Sequence, residues 1–322
     1  MAVVLSNPLR PVLLAAGRSN RLGQTISRLG PTRRLVDRFV AGETEPAVVA
    51  VVTELLRSGR LVSVDYLGED TTDAEQAGAT KDAYLSLLKA YAQLPTPSAT
   101  TAARPLEVSL KLSALGQALP NVGRSVALDN ARAICSAARD IRAVVTVDAE
   151  DHTTTDSTLS IVSELRQDFP DVGTVLQAYL HRTEQDCREF SGPGSRIRLC
   201  KGAYSEPASV AYQKPTEVDA SYLQCLRVLM EGQGYPMVAS HDPKMIAAAQ
   251  GFAGETGRSD DDFEFQMLFG IRADEQRRLA ADGYRMRVYV PFGDQWYGYF
   301  MRRLAERPAN LVFFARSVLG RK

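Results

Sequence analysis

The amino-acid sequence predicts an α/β protein, a (β/α)8 TIM-like barrel with N-terminal helices. Short apolar or alternating runs recur eight times after residue 60, and helix-like segments lie between them. The eight units fill about 260 residues, which is the usual size of such a barrel. A doubly wound sheet is the alternative, but no GxGxxG motif follows any of the runs, so the usual dinucleotide fingerprint of that fold is missing.

The elements follow in a regular order. Residues 8–58 have the apolar pattern of helices, interrupted at Gly30 and Gly42. We therefore expect residues 1–58 to form a helical segment that packs on the barrel, and residues 59–322 to form the barrel. The predicted strands are LVSVDYL from residue 61, LEVSLKLSA from 106, AVVTVDA from 143, TVLQAYL from 174, RIRLCKG from 196, YPMVASH from 235, FEFQMLF from 263 and YRMRVYV from 284.

Composition and charge exclude several classes of protein. Of the 322 residues, 45% are hydrophobic, and 38 Lys and Arg balance 38 Asp and Glu. This composition is typical of a globular protein, and it gives no reason to expect nucleic acid as a partner. No apolar run approaches the roughly 20 residues that span a bilayer. We expect a cytoplasmic protein, with the basic residues among 10–40 forming a solvated surface or, alternatively, touching the inner face of a membrane.

Neither the cysteines nor the histidines are spaced as in a metal site. The four cysteines show no CxxC or paired spacing, which is typical of reduced thiols in a cytosolic protein. His152, His181 and His241 are scattered along the chain. We therefore predict no disulfide framework and no metal ion.

Six of the predicted strands have one apolar and one polar face. Alternate side chains of a barrel strand face the interior. If the apolar faces pack on the helices, the interior contains Lys111, Asp148, Gln177, Arg198, Gln266 and Tyr289. Barrels whose interior serves only packing are filled there with branched apolar residues. Because buried charges are costly unless paired, a polar interior suggests a bound ligand. A misassigned strand register, or exposed strand ends, is the structural alternative.

Individual residues in this interior suggest chemistry. Lys111 and Asp148 would form a buried ion pair on neighbouring strands, in which each keeps the other ionised. Arg198 could donate to an electron-rich heteroatom and stabilise developing negative charge. Gly202, in KGAYSEP, would let a planar or phosphate-bearing ligand approach the backbone closely, although an ordinary turn glycine fits the spacing equally well.

Two further segments have a structural and a functional interpretation. ASHDP places Ser240 and His241 at the end of a strand, where a lone histidine is more often a hydrogen-bonded structural residue than a catalytic base. MRRLAERPAN places Arg302 and Arg303 one turn before Glu306. Taken alone, this spacing is typical of a salt-bridged surface helix. A polar barrel interior makes an anion-binding arginine pair the alternative.

Together these motifs resemble the flavin-dependent proline dehydrogenases, in their short monofunctional bacterial form. The same barrel is the proline dehydrogenase domain of the bifunctional proline utilisation enzymes. The matching segments, in the order of the family, are SLKLSAL, DAE, LQAYL, RLCKGAY, SHDP, FEFQMLFG, VYVPFG and YFMRRLAERPAN. They cover residues 107–310, and DYLGE extends the resemblance to the first strand.

The resemblance implies oxidation of L-proline to Δ1-pyrroline-5-carboxylate, the first step of proline catabolism, by hydride transfer from C5 of the ring to N5 of bound FAD. A quinone would reoxidise the flavin, and a pyrroline-5-carboxylate dehydrogenase is a further implied partner. A barrel flavoenzyme for hydroxyproline or another cyclic amino acid is one alternative, although Tyr289 resembles a tyrosine that crowds substituted rings. A catalytically silent flavin- or proline-binding protein is another, which the combination of Lys111, Arg198 and two arginines disfavours.

The resemblance also implies roles for individual residues. Catalytic roles fall to Lys111, Asp148 and Arg198, with Arg198 beside flavin N5. Proline would contact Lys111, Asp148, Tyr204, Leu268, Tyr289, Tyr299, Arg302 and Arg303, the last two at its carboxylate. The flavin would contact Gln177, Arg198, Lys201, Gly202, Ala203, Lys214, Ser240, His241 and Glu306. The chain departs from the family pattern at Ser240 (often Thr), at Ser205 (often aromatic) and at Lys214, a less forked donor than Arg.

Overall fold

The computed structural model describes residues 36–95 and 104–306, with side chains up to Met301. Within these residues, eight parallel strands close into a barrel in chain order, because β8 pairs with β1. The strands are β1 (Leu61–Tyr66), β2 (Leu106–Leu110), β3 (Val144–Val147), β4 (Gly173–Gln177), β5 (Arg196–Cys200), β6 (Tyr235–Ala239), β7 (Glu264–Leu268) and β8 (Met286–Phe292). The predicted (β/α)8 fold is confirmed.

Helices precede the barrel and follow its strands. They are α1 (Glu45–Arg57), α2 (Ala74–Tyr91), α3 (Gly123–Asp140), α4 (Thr155–Asp168), α5 (Thr183–Phe190), α6 (Pro215–Glu231), α7 (Pro243–Thr256), α8 (Ala273–Ala281) and α9 (Trp296–Glu306), with a 3-10 helix at His152–Thr154. The proposed domain boundary at residue 58 falls between α1 and β1. In the part of the chain that the structure describes, no helix has the length and apolar character needed to cross a membrane.

Side-chain caps mark where two of the helices begin. The Asp73 carboxylate accepts a hydrogen bond from the backbone N of Glu75 (2.8 Å) at the start of α2. The Asp242 carboxylate accepts one from the backbone N of Lys244 (3.0 Å) at the start of α7. Each such cap contributes about 1 kcal/mol, because it satisfies a backbone donor that the helix leaves unpaired.

The outward faces of the strands are apolar and pack against the helices. Val108 and Leu110 of β2 share one buried cluster with Leu87 of α2. On the other side of the barrel, Leu199 of β5 shares a second buried cluster with Leu226 of α6. Fully burying an aliphatic side chain stabilises a fold by about 1.5–3 kcal/mol. The layer between sheet and helices is therefore the hydrophobic core of the barrel.

The inward faces are polar, as the alternation predicts. Hydrogen bonds that cross the barrel show which side chains point inward. Arg198 of β5 donates to Ser63 of β1 (3.1 Å) and to Ser109 of β2 (2.7 Å), and all three side chains are buried. Only side chains that point into the barrel interior can make these contacts. The predicted polar interior is confirmed, and it is the feature that positions the candidate site.

Residues 36–43 bind the end of β8 and the helix that follows it. The backbone N of Ala41 donates to Pro291 O (2.9 Å), and that of Gly293 donates to Gly42 O (3.0 Å). A buried apolar cluster joins this segment to α9 and consists of Val36, Phe39, Val40, Leu67, Ile271, Trp296, Tyr299, Phe300 and Met301. The segment thus anchors the first turns of α9 beside the carboxyl ends of the strands.

Candidate active site

Arg198 lies in the barrel interior and donates hydrogen bonds to side chains that lie on, or directly after, four other strands. Nε donates to Gln266 (2.5 Å), Nη1 to Ser109 (2.7 Å) and Asp148 (2.6 Å), and Nη2 to Ser63 (3.1 Å) and Glu107 (2.6 Å). Burial alone would lower the pKa of Arg198, but Asp148 and Glu107 outweigh it and raise the pKa. All five N–H donors of the guanidinium are therefore engaged, and its plane is held from several sides.

Asp148, directly after β3, lies between Arg198 and Tyr289. Its Oδ2 accepts from Tyr289 Oη (2.7 Å) and its Oδ1 from Arg198 Nη1 (2.6 Å). The Arg198 guanidinium also lies 5.3 Å from the centroid of the Tyr289 ring, a cation–π contact. Burial, and then Asp148, raise the pKa of Tyr289 well above its ordinary value, so the phenol stays a neutral donor. Three predicted site residues form one hydrogen-bonded unit.

Lys111 forms its ion pair with Asp65, so the predicted pair with Asp148 is wrong. Lys111 Nζ lies 2.5 Å from Asp65 Oδ2, whereas Asp148 bonds to Arg198. The reason is the register of β1 and β2, which sets Asp65 opposite Ser109, two residues before Lys111. Burial would lower the pKa of Lys111, but Asp65 and then Asp148 raise it above its ordinary value. Lys111 is a fixed cation at the carboxyl end of the strands.

The backbone at Gly202 leaves no room for a side chain. Gly202 has φ +109°, and a Cβ there would lie 2.3 Å from the ring of Tyr179. That ring is held at its far end, because its hydroxyl donates to Glu206 (3.1 Å), whose carboxylate also contacts Nδ1 of His152. Only glycine adopts this φ without strain. The Tyr179 ring therefore occupies the space that a side chain at position 202 would need, and close approach of a ligand to this backbone stays a prediction.

Gln177 and Lys201 end neighbouring strands and have different kinds of partner. Gln177 Nε2 donates to the backbone O of Glu150 (2.8 Å), while its Oε1 accepts no hydrogen bond from the groups that the structure describes, with side chains up to Met301. Lys201 Nζ pairs with Asp219 (2.5 Å) and Asp242 (2.8 Å). Gln177 thus offers a buried acceptor, whereas Lys201 ties the end of β5 to α6 and α7.

Ser240 and His241, which follow β6, both bond to nearby backbone. Ser240 Oγ accepts from the backbone N of Asp242 (3.1 Å). His241 Nε2 accepts from the backbone N of Leu268 (3.0 Å), so the ring proton is on Nδ1. The ring therefore joins the ends of β6 and β7, which agrees with the structural interpretation of this histidine. Its contact with a flavin stays a prediction.

Three more residues predicted to touch proline or flavin lie between β5 and α6: Ala203, Tyr204 and Lys214. Leu268, also predicted to touch proline, ends β7. Ala203 and Tyr204 are half-buried beside Gly202. Lys214, by contrast, is exposed at the start of α6, where its Nζ pairs with Glu217 (3.0 Å). The structure therefore does not bring Lys214 to the interior cluster, and its predicted flavin contact has no support from these contacts.

Helix α9 carries the last group of predicted residues. Tyr299 is buried in its first turns, packed in the apolar cluster with residues 36–40. The helix continues to Glu306, but the side chains of three predicted residues lie outside the described part of the chain: Arg302, Arg303 and Glu306. Their roles stay predictions.

Known proteins are similar to this chain in sequence and in fold. The family model described as Proline dehydrogenase matches residues 48–316. Proline dehydrogenase 1 of Bacillus subtilis (strain 168) is 38% identical over 97% of this chain and 99% of its own length. Proline dehydrogenase of Deinococcus radiodurans is 39% identical over 88% of this chain and 90% of its own length. This chain belongs to the proline dehydrogenase family.

Solved structures of larger proteins contain the same barrel. Proline utilization A (PutA) from Bdellovibrio bacteriovorus superposes with a TM-score of 0.77 at 24% identity, over 92% of this chain and 36% of that one. PutA from Bradyrhizobium japonicum gives a TM-score of 0.71 at 23% identity. The chain spans about a third of the length of these structures. At this identity the likeness shows the shared fold alone.

As a proline dehydrogenase, the chain is an oxidoreductase that oxidises proline in proline catabolism, and it is a flavoprotein. The residues at the strand ends fit a flavin. An isoalloxazine ring has hydrogen-bond donors and acceptors along its edges and flat faces. Gln177 offers a buried side-chain acceptor and Lys111 a cation at these strand ends. When bound, the flavin supplies the two-electron redox chemistry.

Glu150, beside this cluster, is a buried carboxyl group that titrates near neutrality. Its carboxylate accepts from the backbone N of Ser113 (3.1 Å) and from Ser113 Oγ. Burial outweighs these bonds and raises the pKa of Glu150 from 4.5 to about 7. Between pH 4.5 and about pH 7, Glu150 keeps a proton in the folded chain that it has released in the unfolded chain. The stability from this group is thus fully present below pH 4.5 and is lost as the pH rises through 7.

We predict that Glu150→Gln removes this pH dependence. Across this pH range the wild type loses on the order of 3 kcal/mol of unfolding free energy, because each pKa unit corresponds to 1.36 kcal/mol. Urea unfolding at pH 5 and pH 8 should show the variant gaining stability relative to the wild type as the pH rises. Glu189→Gln, at an exposed carboxylate, is the matched control. An equal change in both variants would contradict the prediction.

The interior also contains charged residues beyond the six that the sequence analysis named there, although Arg196, Glu264 and Arg287 lie on the polar strand faces that alternation indicates. They are Asp65, Glu107, Arg196, Glu264 and Arg287, each at most 2% exposed. A signal existed for Asp65, because Ser63 and Asp65 alternate with Val62 and Val64 in β1 as the polar residues do in β2. The partners of these charges lie on other strands, however, and sequence spacing alone does not identify them.

Proposed function

We propose that this chain oxidises L-proline to Δ1-pyrroline-5-carboxylate with FAD as its flavin, at the carboxyl ends of the barrel strands. One observation carries the proposal. Arg198, Asp148 and Tyr289 form a single buried unit beside the cation of Lys111, in a chain of the proline dehydrogenase family. A proline molecule presents a carboxylate, an amine and an apolar ring, and this group offers a charged or polar partner for the first two.

In this proposal the residues of the chain bind and orient the substrate. Lys111 and the arginines at positions 302 and 303 hold the carboxylate through charge-assisted bonds, which are the stronger and more directional kind. The ring is enclosed by Tyr204, Leu268, Tyr289 and Tyr299. A substrate gripped at its carboxylate and enclosed at its ring presents C5 in one orientation, which lowers the entropic part of the barrier.

The charges around the reacting carbon have a second task. Bound FAD supplies the acceptor for the hydride that leaves C5. Arg198 keeps its positive charge in the buried interior, where such a charge stabilises negative charge far better than in water. Asp148 balances that charge and holds Tyr289 in place, and the Tyr289 ring limits the space available to a substituent on proline.

The finer partners are part of the same proposal. FAD contacts Gln177, Arg198, Gly202, Ala203, Ser240, His241 and Glu306, with Lys201 shaping the end of β5 and Lys214 the least supported of the set. A quinone reoxidises the flavin, and a pyrroline-5-carboxylate dehydrogenase consumes the product. Since quinones dissolve in membranes, we propose peripheral contact with the inner face of a membrane from a cytoplasmic enzyme.

Anaerobic reduction of the flavin tests the proposal. The purified protein should contain FAD, and L-proline should bleach its visible flavin band without added acceptor. Hydroxyproline should bleach it more slowly, because Tyr289 crowds the substituted ring. A flavin band that L-proline leaves unchanged would overturn the assigned substrate, and a bound flavin other than FAD would overturn the assigned cofactor.

A separate prediction concerns the arginine pair on α9. Arg302→Lys and Arg303→Met should raise the KM for proline by roughly 10- to 100-fold, since a hydrogen bond to a charged group contributes about 1.5–3 kcal/mol. FAD content should stay near that of the wild type. Arg278→Lys, at an exposed arginine of α8, should change neither quantity. Loss of FAD in step with the rise in KM would place the pair at the cofactor instead.

A further inference from the structure

A second layer of charge lies in the barrel interior, among residues that the proposed mechanism does not use. Glu107 of β2 is fully buried, and three arginines surround its carboxylate. Its Oε1 accepts from Arg198 Nη2 at 2.6 Å, and its Oε2 lies 3.1 Å from Arg196 Nη2 and 3.9 Å from Arg287 Nε. A single carboxylate thus lies between Arg198 and two further buried arginines, Arg196 and Arg287.

Arg196 and Arg198 both bond to Glu107, whereas Arg287 lies farther from its carboxylate. Arg287 has a bidentate partner of its own, because its Nε and Nη2 donate to the two oxygens of Glu264 at 2.6 and 2.9 Å. Among the described residues, Arg198 has no single carboxylate that bonds to two of its nitrogens. Its Nη1 bonds to Asp148 and its Nη2 to Glu107, at 2.6 Å each. Two carboxylates therefore hold its two terminal nitrogens, and Glu107 is one of them.

Burying such a carboxylate is costly, and packing alone does not require it. Barrels of this type are usually filled with branched apolar side chains. Burial alone would raise the pKa of Glu107, but Arg287, Arg198 and Arg196 lower it to about 2. The carboxylate is therefore ionised at every working pH. A fully buried carboxylate that stays charged constrains the position of the arginine that it bonds, Arg198.

We propose that Glu107 is a positioning residue for proline oxidation: it holds the Nη2 edge of Arg198 from within the barrel, so that the Nη1 edge faces Asp148, and it offsets one positive charge near the flavin. This inference rests on the proposed role of Arg198. Without Glu107, the guanidinium would keep Asp148, Ser109 and Gln266 as partners but only the longer bond to Ser63 (3.1 Å) at Nη2, and would turn about the others. Hydrogen-bond positioning at a reacting centre is sensitive to such small displacements.

Two substitutions separate the position of Arg198 from its charge balance. Glu107→Gln keeps the shape of the side chain and removes its charge, so kcat should fall about 10- to 100-fold with little change in the KM for proline. The reduction potential of the bound FAD, measured without proline, should become more positive, because the reduced flavin gains negative charge. Glu107→Asp keeps the charge but draws it away from Nη2, so kcat should fall while the potential stays near the wild-type value.

Glu264→Gln controls for the loss of a buried charge. Glu264 is as deeply buried as Glu107, and its carboxylate bonds to Arg287 and to Gln266 Nε2 but not directly to Arg198. It should lower the melting temperature by an amount similar to Glu107→Gln while keeping kcat within a few-fold of the wild type. Wild-type kcat in both Glu107 variants would overturn the inference and make Glu107 purely structural. If the wild type itself is not bleached by proline, the proposed function fails instead. Should Glu107→Gln not fold, the kcat of Glu107→Asp decides.

Discussion

Gly202→Ala should give a folded barrel that has lost its flavin. The residue has φ +109°, where an L side chain is strained, and its new Cβ would lie 2.3 Å from the Tyr179 ring. The ring has no easy escape, because its hydroxyl is bonded to Glu206. Strained backbone costs on the order of 1–3 kcal/mol, and the overlap adds to it. We expect the segment after β5 to shift and the Kd for FAD to rise at least about 100-fold, as measured by flavin titration of the apoprotein.

Gly194→Ala is the matched control for this substitution. Gly194 also has a positive φ, +76°, but nothing lies within 4 Å of a Cβ built there. The control therefore introduces backbone strain without the overlap at the candidate site. It should lose some thermal stability and keep its FAD. If Gly202→Ala binds FAD as tightly as the wild type, the backbone after β5 is not part of the flavin site.

The fold was predictable because it depends on local patterns. Each strand is short and alternates in polarity or is apolar throughout, and each helix repeats its apolar residues at helical spacing. These periods need no knowledge of distant residues. For β2, the alternation correctly set Val108 and Leu110 against the helices and Ser109 and Lys111 in the interior. The closed order of the strands then follows from the repeated strand–helix rhythm.

The partners of the interior charges were less predictable. Alternation shows that a side chain faces inward, but not how deep along the barrel axis it lies. Lys111 reaches Asp65, 46 residues away, because of the register between β1 and β2. Glu107 reaches Arg198, 91 residues away, across the interior. Register and strand tilt decide these contacts, and both emerge only when the barrel closes.

The pair of Lys111 and Asp65 leads to the second large effect. Lys111→Met should destabilise the fold by about 3–5 kcal/mol, because it leaves the fully buried Asp65 carboxylate without its cation. The KM for proline should rise roughly 10- to 100-fold in the same variant if Lys111 also binds the substrate carboxylate. Urea unfolding and steady-state kinetics measure the two effects separately. A single variant cannot show whether the loss of binding follows from the loss of stability.

The double variant Asp65→Asn with Lys111→Met separates the two roles. An amide in place of the carboxylate removes the unpaired buried charge, so most of the lost stability should return. The KM should stay high, because the cation is still missing. A double-mutant cycle on the unfolding free energy should then give a coupling between the two residues well above 1 kcal/mol, as expected for groups in direct contact. Recovery of the wild-type KM in the double variant would show that Lys111 serves only to neutralise Asp65, and proline would need another cation.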